Sequence, residues 1–138
     1  MGDAPVMLHR KRLPPELAPA SEAFHAVVAD LEPAKAALTE ALPTTRAPGR
    51  PLPEALGAFE AGLVRARAGM PAWRTPELDA RWIACDRGLE AALEHVRRVR
   101  RDGVEPAGFE ALLWLIEDLL DPLDPFADAE RAFLDLRR

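Results

Sequence analysis

Between Leu78 and Val99 the apolar residues Leu78, Trp82, Cys85, Leu89, Ala92, Val96 and Val99 follow one another at steps of 4, 3, 4, 3, 4 and 3. A half-buried strand repeats every second residue, so this spacing fixes an amphipathic helix with a single stripe to hide. Its ends are marked too. Thr75, Pro76 and Glu77 supply an N-cap, a first-turn proline and an early acid, and Gly103 stops the helix.

The remaining chain divides around this helix. Phe24, Val27, Leu31, Ala34, Leu38 and Ala41 recur at steps of three and four, with Ser21 as a plausible N-cap and Pro43 beyond the end. Pro33 inside this helix lacks the N–H that would bond Ala29, so a kink or break is expected near Glu32. Pro43, Pro48, Gly49, Pro51 and Pro53 predict a long loop, and a second helix opens at Pro53 with the stripe Leu56, Phe59, Leu63, Ala66 and Met70. A fourth, from about Pro106, carries Phe109, Leu112, Ile116 and Leu119. A last short helix from Pro125 to about Arg137 presents Phe126, Ala129 and Phe133, with Asp124 placed to cap it.

Four stripes joined by mostly short connections predict an all-α antiparallel up-down four-helix bundle with a short additional C-terminal helix. A dimer of long hairpins is the rival architecture. Composition agrees: 26 Ala and 20 Leu stand against two Ile and seven Val, which favours helix over sheet. The expected division is an N-terminal arm over residues 1–19 and one bundle domain over 20–138. The arm combines the basic cluster His9, Arg10, Lys11 and Arg12 with four prolines.

Charge narrows the function classes. The net charge is −5, and residues 102–138 hold 10 acidic against 3 basic groups, so binding to nucleic acid is not expected. No apolar run approaches the roughly 18 residues of a membrane span. One cysteine and a start without a basic-then-apolar leader point to a cytoplasmic protein. Arg outnumbers Lys 16 to 2, which suggests GC-rich coding as readily as selection for guanidinium chemistry.

Candidate chemistry is sparse. Glu22 and His25 form one Glu-x-x-His pair, the element from which ferritin-like bundles build metal sites, but His95 is preceded at that spacing by Ala92, so the second pair is missing. A metal site would need a carboxylate from a facing helix, such as Glu60 or Glu117. Asp118, Asp121, Asp124 and Asp128 lack the order of a calcium loop and read as turn and cap residues. Cys85 sits on a stripe and is expected to be buried. With one Ser, four Thr and no Tyr, the chain is poor in nucleophiles, and an enzyme is not expected.

Two features point to partners. Arg97, Arg98, Arg100 and Arg101 complement the negative end of a helix, and the rival reading is a docking patch for an acidic partner surface or an RNA backbone. Trp114 lies off the Phe109, Leu112, Ile116 stripe, and beside Leu113 and Leu115 it makes the fourth helix apolar nearly all round. The expected function is a non-enzymatic protein–protein interaction or scaffolding module, homodimeric through Trp114 and Leu115 or joined to another protein. A metal-binding bundle at Glu22 and His25 is one alternative. The other is a binder of a small hydrophobic ligand in gaps left by interior alanines such as Ala34, Ala41, Ala66 and Ala92. No cofactor is expected outside the metal reading.

Overall fold

The computed structural model describes residues 11–138, and among these every regular element is helical. Helix α1 spans Ala18–Thr39, α2 Leu52–Gly69, α3 Asp79–Asp102, α4 Phe109–Leu120 and α5 Pro125–Asp135. Single 3-10 turns stand at Pro15–Leu17, Met70–Trp73, Pro76–Leu78 and Asp121–Leu123. The helical bundle expected from the stripes is present. No helix among the described residues is long and apolar enough to cross a membrane. His9 and Arg10 of the basic cluster lie outside the described residues.

Helix α1 begins before Ser21, contrary to expectation, because Pro19 lies in its first turn, where a missing N–H costs nothing. The stripe therefore reaches back through Ala20 to Leu17, both buried. The packed body starts earlier than residue 20: Leu13 leans on the core, and Arg12 and Arg138 exchange backbone hydrogen bonds of 2.8 and 2.7 Å. Helix α1 also continues through Pro33 without the break that was one of the two expected outcomes. Ala29 and Pro33 are both exposed, so water can satisfy the carbonyl that loses its partner.

Other boundaries follow local chemistry. Gly103 takes φ 67°, the left-handed conformation that suits glycine, and its N–H bonds the Val99 carbonyl at 3.0 Å to close α3. Gly108, at φ 105°, turns the chain into α4, which therefore starts at Phe109 and not near Pro106. Thr75 and Asp124 do not cap through their side chains. Thr75 stands in extended backbone with its hydroxyl buried and unpartnered, while Asp124 already has helical angles continuing from the preceding turn.

Small residues set the closest approaches. Gly62 of α2 lies against Ala34 of α1, and Gly69 against Val27, so this pair runs in opposite directions. Gly88 of α3 lies against the Pro122 carbonyl, letting the Asp121–Leu123 turn settle on the helix. Ala34 takes part in one of these approaches, and Ala34, Ala66 and Ala92 are all at most 1% exposed.

The largest side chains meet at one end. Phe24 packs edge-on to Trp73 with ring centres 4.9 Å apart, and Phe133 of α5 lies 5.0 Å away on another side. Phe126 adds a fourth ring 6.3 Å from Phe24. Trp73 is fully buried, its indole N–H donating to Met70 Sδ at 3.2 Å. Trp82 closes the same end, donating to the Met70 carbonyl at 2.8 Å beneath the Arg74 guanidinium, 4.2 Å from its ring centre. The sequence pattern places Trp73 in the loop between two helices, where it would cap the end of the bundle; the structure buries it there completely, against Phe24 and Phe133. Truncating Trp73 to Ala should lower unfolding free energy by about 3–5 kcal/mol in urea titrations, and a loss below about 1 kcal/mol would contradict this role.

Candidate interaction surface

Helix α4 shares least in the core. Of its residues only Ile116 and Leu119 are buried, while Leu112, Leu115 and Leu120 are half-buried against the bundle. Successive residues turn by about 100°, so with that face inward Glu110, Trp114, Glu117 and Asp118 point away from the bundle, and all four are exposed. Trp114 is 58% exposed. The fourth helix is therefore not apolar all round. Its outer face is an indole with Glu110 one turn before it and Glu117 and Asp118 one turn after. Leu115, paired with Trp114 in the sequence reading, lies on the packed side and does not share this face.

At the N-terminal end of α4 two shallow openings adjoin across Leu52 and Pro106. One, of about 410 Å³, lies against Leu56, Val99 and Val104; the other, of about 290 Å³, against Pro43, Phe109 and Leu112. Phe109 is 54% exposed and Val104 44%. These apolar openings lie at the surface; of the interior alanines named as possible sources of gaps, Ala41 lines the second opening, while Ala34, Ala66 and Ala92 are buried.

The arginines of α3 divide into two groups. Arg97 Nε donates to Glu60 Oε2 at 3.1 Å and Arg100 Nη1 to Glu60 Oε1 at 2.7 Å, so these two clasp α3 to α2. Desolvation pushes the Glu60 pKa up, but hydrogen bonds and charge from Arg100 and Arg97 outweigh it and hold the carboxyl below its ordinary value. Arg98 and Arg101 are exposed on the outer side. With Arg67 of α2 they border a groove of about 440 Å³ that Arg97 also lines, together with Glu90, Glu94 and the buried Leu93. Arg101 Nε comes within 3.6 Å of the adjacent Asp102, and no carboxylate pairs with Arg67 or Arg98 among the described residues.

Glu22 and His25 both face outward. His25 Nδ1 lies 2.7 Å from the Ser21 carbonyl, which assigns the proton to that nitrogen and leaves it no lone pair for the Ser21 hydroxyl at 3.4 Å. The carboxylates considered as further metal ligands lie elsewhere: Glu60 is held by two guanidiniums and Glu117 is on the outer face of α4. Among the described residues no three His, Cys, Asp or Glu side chains gather as a metal site would require. Cys85 is buried as expected. Burial, and then the charge of Asp128, push its thiol up to about 12, so it is a neutral core side chain at physiological pH.

The Glu60 clasp was missed from the sequence because its partners lie 37 and 40 residues away on another helix. Replacing Glu60 with Gln should cost about 1 kcal/mol at pH 7, the scale for partly exposed charge-assisted pairs. A carboxyl held below its ordinary 4.5 stabilises the fold above that value and loses the contribution as pH falls through the lowered one. The gap between Glu60→Gln and wild type should therefore narrow in urea titrations as pH is lowered below 4.5, and a gap that stays unchanged would contradict the clasp. No protein family, no curated protein and no solved structure matches this chain, so its own surfaces carry the functional argument.

Proposed function

We propose that this chain is a non-enzymatic interaction module that pairs with a second copy of itself through α4. The reading is carried by Trp114, whose indole is 58% exposed in the middle of the helix that contributes least to the core. A tryptophan brings a large apolar area with few rotamers to freeze, which is why this side chain recurs at the centres of protein interfaces. Left in water it gives up that burial energy, at about 25 cal/mol for each Å². Phe109 and Val104 extend the uncovered apolar surface toward the start of the helix.

Light scattering tests this directly. Wild-type protein at several hundred micromolar should have twice the 15.1 kDa mass of one chain, and Trp114→Asp should return it to a single chain with its helix content intact. A wild type that stays monomeric at that concentration overturns the reading.

A further inference from the structure

We infer that the acid-ringed Trp114 of one copy docks on the arginine face of α3 in its partner, and that the partner returns the same contact. This rests on self-association through α4 and identifies what α4 meets.

The charge around Trp114 excludes the simplest pairing. If two α4 helices met face to face, Glu110, Glu117 and Asp118 would confront their own images around the two indoles. Like charges brought together and desolvated oppose association. The surface that complements this face must be basic and able to receive a flat aromatic ring.

The chain carries such a surface. Arg67, Arg98 and Arg101 border the groove between α2 and α3, whose volume of about 440 Å³ is ample for one indole. Glu90 and Glu94 also line it, so the net cationic side is the end toward Arg98 and Arg101. Arg97 also lines the groove, but its guanidinium and that of Arg100 are already held by Glu60, so Arg67, Arg98 and Arg101 are the arginines left for docking. A guanidinium stacks on an aromatic face through its own flat surface while its N–H groups reach carboxylates at the edge. This chain makes that stack internally, with Arg74 Cζ 4.2 Å from the ring centre of Trp82. Around Trp114 the arginines would find both partners at once: the ring to stack on, and Glu110, Glu117 and Asp118 to accept their hydrogen bonds. Each copy has one face of each kind, and a two-fold axis that brings both pairs together would make the contact twice and close the dimer.

Charge reversal separates this arrangement from any other use of α4. One variant carries Glu110→Lys, Glu117→Lys and Asp118→Lys; the other carries Arg67→Glu, Arg98→Glu and Arg101→Glu. All six positions are exposed, and circular dichroism should report wild-type helicity for both. In sedimentation velocity each variant alone should lose dimer by at least about tenfold in Kd, and an equimolar mixture should regain it, because every facing pair is again opposite in sign. Two misfolded chains would not restore one another. Wild-type dimer should also weaken as NaCl rises toward roughly 0.5 M. If the arginine variant dimerises like wild type while Trp114→Asp does not, α4 still mediates self-association and the arginine face is not its partner. If neither reversed variant nor Trp114→Asp alters the sedimentation of wild type, both readings fail.

Discussion

Phe24, Trp73 and Phe133 each pack against the other two, and this three-ring contact organises the bundle. It ties three separate parts of the chain, the start of α1, the turn after α2 and the end of α5, into one aromatic cluster with ring centres 4.9 to 6.1 Å apart. Rings at these separations gain more than area burial alone, because edges and faces carry opposite partial charge. The sequence order leaves α5 to complete the core, and α4, which precedes it, is set on the flank with two buried residues. An uncovered tryptophan on α4 is a direct consequence of that arrangement.

The rest of the packing follows two devices. Where elements pack closest, glycine faces alanine or a backbone carbonyl, as at Gly62 with Ala34 and Gly88 with Pro122, and a Cβ at either position would clash. Where α2 and α3 reach the solvent, Glu60 bridges Arg97 and Arg100. The same bridge sorts the arginines of α3 by role. Arg97 and Arg100 are tied to Glu60, while Arg98 and Arg101 are not, and Arg97 shares the groove with them and Arg67. An acidic C-terminal segment and an arginine-bearing α2–α3 face give one chain two surfaces of opposite sign, which is what reciprocal pairing requires.

Much of this was legible from local pattern. The stripe from Leu78 to Val99, the stop at Gly103 and the burial of Cys85 are all read from spacing, because a helix that hides one face imposes that spacing. The start of α1 was misread because Pro19 looks like a breaker until it is placed in the first turn. Trp73 carries no periodic signal, since a 3-10 turn of four residues is too short to show one. Which of the two C-terminal helices completes the core depends on where the Asp121–Leu123 turn settles, and that is decided at Gly88, more than thirty residues earlier. The outward acids around Trp114 are visible in the sequence only once the inner face of α4 is known. The apolar neighbours Leu113 and Leu115 disguised that face as continuous.

Native-state hydrogen exchange reads the central claim, that α5 closes the core and α4 lies on its flank. Amide protection reports the free energy of opening, which follows buried packing. Amides of Ala129 to Phe133 in α5 should exchange only through global unfolding, at the level of α1, α2 and α3, while those in the middle of α4 exchange through a cheaper local opening at low protein concentration. An α5 that exchanges first, with α4 protected to the global limit, would contradict the account.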